Sequence, residues 1–444
     1  MKKTILATTV AALTAFSAQA DTVIHITGST AFRASTIAAI QNIMGGAASV
    51  KSAYSSSSGS SVSGTNRAVL QGSISTVPSA GVVTVKCSWS GSTGGIKTVV
   101  QNIAVTTWPS ITNLSSAVAG TPLAFTDAAM AYGLDTGTFP AETSLADVCM
   151  MDSSQATTGF GTPALSVQRV GVIAFEWVAG SGSPASLDNM TPLLAQAVLG
   201  GGIPLSQFSG VPITTSPNEK YVYAVGRNFD SGTRLSCLTE SGIGAFSGVQ
   251  HIEATVTGTA GATGSAISNV RLYHAETVLG QAFGIGQSGY SSGSFVADLL
   301  ATQGAPTAGT AVAPGFEDEE LIFGAGYLVG YVGRSDAVRA TKTTGGGSAF
   351  RLKWNGMAIA NGPISSAGVP ASYNENLIAE GLYPLWEYQN LGYRSTFSTS
   401  NPNGKSVADA IGTRIKNVDG SISGTLLSTM HVSKTLEGGV ITHN

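Results

Sequence analysis

Apolar and polar positions alternate along Asp21 to Thr27 as on a half-buried strand, and Ser35 to Met44 then carries Ile37, Ile40 and Met44 at helical spacing. Between the two lies Gly28-Ser29-Thr30-Ala31-Phe32, a turn of small and hydroxylated residues ending in an aromatic. The same succession predicts a second strand, turn and helix at Val82 to Lys86, Ser90 to Gly95 and Ile96 to Asn102. It recurs as Tyr221 to Val225, the turn Arg227-Asn228-Phe229-Asp230-Ser231-Gly232-Thr233, and the segment from Arg234. Strands alternating with helical segments predict an α/β architecture with mostly parallel sheets. Two stretches break this rhythm and read as insertions. Residues 52–80 are Ser- and Gly-rich with a strand signal at Ala68 to Ile74, whereas 251–273 reads as a hairpin around the turn Gly258 to Gly264.

The N-terminus adds a compartment to this picture. Met-Lys-Lys, an apolar run from Ile5 to Phe16 and Ala18-Gln19-Ala20 have the order of an export signal, residues 1–20, with cleavage after Ala20. The run falls short of the roughly 20 residues a membrane-spanning helix needs. The expected product is periplasmic or secreted and begins at Asp21; no cysteine follows the run to carry a lipid anchor. The formal charge of −3 becomes more negative once Lys2 and Lys3 are removed, which excludes a basic surface for nucleic acid or anionic lipid. Charged residues are only 11% of the chain, against a usual share of about 25%, so hydroxyls and amides solvate much of the surface. Cys87, Cys149 and Cys237 allow one disulfide with one thiol over, and neither they nor the five histidines have metal-ligand spacing. No metal and no cofactor are expected.

The turns carry the chemistry. A strand that ends in a Gly/Ser turn and enters a helix leaves the first helical N–H groups facing outward. Those donors and the positive end of the helix dipole suit a phosphate or sulfate. A single such turn is ordinarily only an N-cap. Three of them together with Arg227, whose planar fork of donors matches two oxygens of an oxyanion, point to anion binding.

The order of these motifs resembles that of the periplasmic phosphate-binding proteins of ABC transporters. Gly28 to Phe32 is similar to the family's opening turn, Gly91-Ser92-Thr93-Gly94-Gly95 to its Gly-Ser-Ser-Gly-Gly turn, and Ala124-Phe125-Thr126-Asp127 to a strand ending in Ser-Asp. Arg227 followed by Ser231-Gly232-Thr233 is similar to its Arg-x-x-x-Ser-Gly-Thr signature, the most specific of the four. The resemblance implies a two-lobed periplasmic binding protein of type 2, each lobe a mixed sheet flanked by helices, joined by two hinge crossings near Val172 to Trp177 and Tyr327 to Gly333. Lobe one is then 21–176 plus 336–444 and lobe two 177–335. It implies a phosphate site of Ser29, Thr30, Ser92, Asp127, Arg227, Ser231, Gly232 and Thr233, closed between the lobes. The implied partners are inorganic phosphate or a similar tetrahedral oxyanion and an ABC permease, the chain itself being a monomer. Asp127 would confer selectivity, because an ionised carboxylate only accepts hydrogen bonds and pairs with the proton of phosphate but with no oxygen of sulfate. The chain departs from the family at Phe229, where relatives carry an Asp beside the arginine, and at Arg33, where many carry a proline.

Enzyme motifs are weaker. Gly289-Tyr290-Ser291-Ser292-Gly293 fits the nucleophile-elbow pattern, with Asp336 and His431 downstream, but the strongly apolar strand it requires does not precede it. Gly284-Ile285-Gly286-Gln287-Ser288-Gly289 fits a dinucleotide fingerprint without the strand–helix context. No catalytic residue is expected. The alternatives to solute capture are an adhesion or assembly protein that uses the two insertions, and a secreted serine hydrolase built on Ser291.

Overall fold

The computed structural model describes residues 21–57, 59–126, 140–210, 220–278, 280–304, 326–342, 349–360 and 373–444. The expected signal, 1–20, and Asp127 lie outside them. Twelve strands form one hydrogen-bonded sheet: β1 (Thr22–Gly28), β2 (Lys51–Ser55), β3 (Arg67–Ser73), β4 (Val82–Ser88), β5 (Leu123–Phe125), β6 (Val148–Met151), β7 (Ser166–Ala179), β8 (Ile203–Pro204), β9 (Tyr221–Val225), β10 (Gly326–Gly333), β11 (Phe350–Arg351) and β12 (Trp386–Tyr393). Their order is β8-β9-β10-β7-β12-β6-β1-β4-β3-β2-β5, with β11 on the end of β7. Helices α1 (Arg33–Ile43), α2 (Ser92–Val100), α3 (Gly232–Glu240), α4 (Gly293–Ala301), α5 (Arg334–Ala340) and α6 (Pro402–Arg414) flank it. The fold is mixed α/β with a large mixed sheet between helices.

In the first half, β1 lies parallel to β4 and β6, so the ends of these strands and the turns that follow gather at one edge. Ile24, Ile26, Ile37, Ile40, Val407 and Ile411 fill one face beneath α1 and α6, while Ile96, Val99, Cys149 and Met151 fill the other beneath α2. In the second half β9 and β10 are parallel, and β10 is buried along its whole length, which explains its near-continuous apolar sequence. The two expected mixed sheets are connected because β7 serves both. Its first part, Ser166 to Ala174, pairs with β12, and its last part, Phe175 to Ala179, pairs with β10. The two predicted crossings are thus neighbouring strands, with Phe175 opposite Gly333 and Trp177 opposite Tyr331.

The stretch at 52–80 is built into this sheet. β2 and β3 pair antiparallel and extend the sheet from β4 outward. Lys51 to Ser55 gives little strand signal by itself, and pairing with β3 overrides that weak propensity. Ile252–Thr257 and Ala266–Leu272 form a separate antiparallel ribbon. All three cysteines are free and buried, so the disulfide that an oxidising compartment permits is not made. Among the described residues no helix is long and apolar enough to cross a membrane.

Candidate functional site

Each expected turn becomes a helix start. After β1 the chain turns at Gly28, whose φ of 111° and close approach to the Met150 carbonyl require glycine; a Cβ there would lie 2.1 Å from that oxygen. Ser29 N–H donates to the same carbonyl (2.8 Å), and Thr30 follows at the foot of α1. After β4, Gly91 caps α2 and puts Ser92 and Thr93 in its first turn. After β9 comes Arg227, and Ser231 caps α3 by accepting from Arg234 N–H (3.2 Å). Seven of the eight expected site residues, all but Asp127, are buried.

These turns meet. The Arg227 guanidinium, 1% exposed, donates from Nη1 to Thr30 Oγ1 (3.1 Å), joining the two halves of the chain. Its Nε donates to the Tyr290 carbonyl (3.0 Å) and its Nη2 to the Ser291 carbonyl (2.7 Å). Three of its five N–H groups are thereby given, and the fork is held rigid. Gly94 N–H donates across to the Asp230 carbonyl (3.2 Å). Gly232 packs so closely on the first half that a Cβ would lie 2.0 Å from Asp152 Oδ1 and 2.7 Å from Ser92 Cβ.

Asp152 adds a buried carboxylate beside these turns that no sequence motif singles out. It follows β6, the hydrogen-bonded neighbour of β1, and is buried. Its Oδ2 accepts from Ser29 Oγ (2.7 Å), its backbone N–H donates to Ser92 Oγ (3.1 Å), and Oδ1 has no hydrogen-bond partner. Ser92 Oγ also bonds Ser153 Oγ (2.7 Å). Burial pushes the Asp152 carboxyl upward, against the hydrogen bond from Ser29 and the charge of Arg227. Asp127, the carboxylate expected from the motif order, lies outside the described residues. The signal for Asp152 was the short apolar run Val148 to Met151 ending in Asp-Ser-Ser.

Further members come from places the motif order did not reach. The run Gly289 to Gly293, which fits the nucleophile-elbow pattern, is the loop whose carbonyls grip Arg227, and it leads into α4. Ser291 Oγ is buried without a partner, and His431, the base in the hydrolase order, is exposed and bonded to Glu380 (2.6 Å). Asp336 sits at the start of α4, where a Cβ on Gly293 would lie 2.1 Å from its Oδ2 and 3.6 Å from Arg227 Nη1. Its charge opposes the lowering of both the Arg227 and the Arg33 pKa that burial causes. Arg33 is buried beside it, Nη2 3.9 Å from Asp336 Oδ1 and Nη1 donating to Asn66 Oδ1; burial lowers its pKa to about 10. Asn66 comes from the 52–80 stretch and also accepts from Ser292 Oγ (3.3 Å). Asp230 does not pair with Arg227; burial raises its carboxyl to about 7.

The start of α4 lies against the buried Arg227 fork, and the starts of α2 and α3 meet one another beside Asp152. In these turns Thr93 Oγ1, Ser291 Oγ and Asp152 Oδ1 are buried without hydrogen-bond partners. Each unpaired buried polar atom costs about 1–3 kcal/mol, so the arrangement favours a bound group that both accepts and donates hydrogen bonds.

No family model and no curated protein matches the sequence. Solved structures do. A Clostridium perfringens protein assigned as a phosphate ABC transporter substrate-binding protein, with bound phosphate, is 12% identical with a TM-score of 0.45, covering 91% of this chain and 98% of its own. A Vibrio cholerae ABC-type phosphate transport receptor is 12% identical with a TM-score of 0.39, covering 91% and 100%. A human phosphate-binding apolipoprotein is 10% identical with a TM-score of 0.35, covering 88% and 90%. Each is described as a binding or transport protein.

Proposed function

We propose that the chain is an exported solute-binding protein that captures inorganic phosphate between two lobes for delivery to an ABC permease. The observation that carries this reading is Arg227, buried and gripped by the Tyr290 and Ser291 carbonyls, with the start of α4 and Thr30 against its fork. The Arg227 fork and the N–H groups at the helix starts neutralise the anion, while Thr93 and Ser291 donate hydroxyls. Asp152 Oδ1 accepts the proton that phosphate retains at neutral pH, the part first given to Asp127. Ser29, Ser92 and Ser153 hold Asp152 in place.

The lobes divide along β7. The second lobe keeps α5 and β11, because α5 packs on α4 and β11 pairs with the end of β7. The return to lobe one then falls at β12 instead of Asp336. The leader pattern at 1–20 supports export. Calorimetry on protein stripped of ligand tests the reading: phosphate binds with measurable heat, and Arg227→Ala weakens it by about 2–5 kcal/mol, as for other buried charge pairs. Absence of heat with phosphate in the unaltered protein overturns it.

A further inference from the structure

The C-terminal segment, from Met430 onward, touches both halves at elements that lead into the anion site. Val432–Lys434 and Ile441–His443 pair antiparallel, and His431 N–H donates to the Ala379 carbonyl (2.9 Å), anchoring the segment beside the first half. Between these strands the chain reaches across. The Lys434 side chain is fully buried, its Nζ lying 4.5 Å from the Trp386 ring centroid. Nζ is 2.6 Å from Glu240 Oε1, at the end of α3, and 3.1 Å from Glu387 Oε1 on β12. Burial pushes the Glu387 carboxyl well above its usual range, and Glu240 makes the shorter contact with Lys434. Gly438 N–H also donates to Glu240 Oε1 (3.1 Å). One residue earlier, Glu437 turns to the first half, where its Oε2 accepts from Ser154 Oγ (2.7 Å) and its Oε1 from Ser154 N–H.

Both ends of this strap lead directly to the site. α3 begins with Gly232 against Asp152 and ends with Glu240, a rigid rod of nine residues, about 13 Å long. Ser154 is two residues from Asp152. Fixing Glu240 and Ser154 to one short segment fixes the distance between the two walls that Asp152 and Gly232 form.

We infer that Lys434 and Glu437 are positioning residues for the anion site: the C-terminal strap holds α3 against the Asp152 turn and so sets how often the cleft opens and how fast its ligand leaves. The inference rests on the phosphate reading for its ligand. It does not rest on it for the contact between the halves, and the experiment separates the two.

Three variants serve. Lys434→Met keeps the stem over Trp386 and removes the ammonium, Glu437→Gln keeps the shape and removes a charge, and Lys434→Arg restores the cation. Stopped-flow with inorganic phosphate reads association and dissociation separately, and small-angle scattering reads the size of the ligand-free protein. Dissociation is expected to speed up about tenfold or more in Lys434→Met and by less in Glu437→Gln, with association within about twofold, since altered contacts act mainly on the off-rate. Lys434→Arg recovers most of the loss, and the ligand-free Lys434→Met protein scatters as a larger particle. Wild-type dissociation rates and unchanged scattering in variants that melt cooperatively overturn the strap; if Lys434→Met does not fold, Glu437→Gln decides alone. If the unaltered protein binds no phosphate, the functional reading fails. The strap then stands or falls on scattering, expansion supporting it and equal size overturning it.

Discussion

Asp152 Oδ1 faces Gly232 with nothing to accept from, while Ser29 occupies the other oxygen of the same carboxyl. An ionised carboxylate in that position repels a fully deprotonated anion and rewards one that brings a proton. Sulfate would leave Asp152 buried and unpaired, at a cost of about 1–3 kcal/mol before repulsion, so Asp152→Asn should narrow the preference for phosphate over sulfate by about ten- to a hundredfold. Competition titrations with the two anions measure it; an unchanged ratio removes Asp152 from the site. The residue was hidden from the sequence for a definable reason. Val148 to Met151 is a four-residue apolar run without alternation, and nothing local says that its strand lies beside β1. Asp127, expected from motif order, lies outside the described residues, so Asp152 is the carboxylate whose surroundings can be described. Arg227 and Ser231 to Thr233 can be read together from the sequence because they lie within seven residues, and the structure keeps them in one turn leading into α3.

Strand, turn and helix form the unit at the next scale. All three predicted units are present, although α2 and α3 begin at the Ser/Gly turns themselves, earlier than apolar periodicity alone placed them. Glycines at the helix starts allow close approach, Gly91 to the Asp230 carbonyl and Gly232 to the Asp152 side chain. Gly232→Ala tests the second contact: with a Cβ 2.0 Å from Asp152 Oδ1, either that carboxylate or α3 must shift. Phosphate affinity should fall by about a hundredfold or more, as when a site is held an ångström out of register, with the far-ultraviolet circular dichroism retained. Wild-type affinity would show that α3 and the Asp152 turn need not touch. In the 52–80 stretch the strand signal at Ala68 to Ile74 corresponds to β3, whereas β2 was not legible, since so short a polar strand is defined by its neighbours. Its contribution, Asn66 bridging Arg33 and Ser292, is a contact between distant elements that no local pattern encodes.

For the molecule as a whole, ligand and fold are linked. Phosphate at a hundred times its dissociation constant should stabilise the protein by about 2.7 kcal/mol. Scanning calorimetry should therefore show a higher melting temperature with phosphate, a smaller rise with sulfate at equal concentration, and almost none in Arg227→Ala. A rise of equal size in all three would mean that the anion acts on the surface and not at the site. β7 and β10 stood out in the sequence as apolar runs, whereas the packing of α5 on α4 and the pairing of β11 with the end of β7 are supplied only by the tertiary structure.

The exchange of partners along β7 has a mechanical meaning. Between Ala174 and Phe175 one continuous backbone passes from the ladder with β12 to the ladder with β10. Relative motion of the two sides is then torsion of a single ribbon about this point, as in a leaf spring, and the ladders on either side travel with their own half. On the proposed two-lobed reading, amide protons along β7 should therefore stay shielded from solvent with and without phosphate, which hydrogen exchange measures.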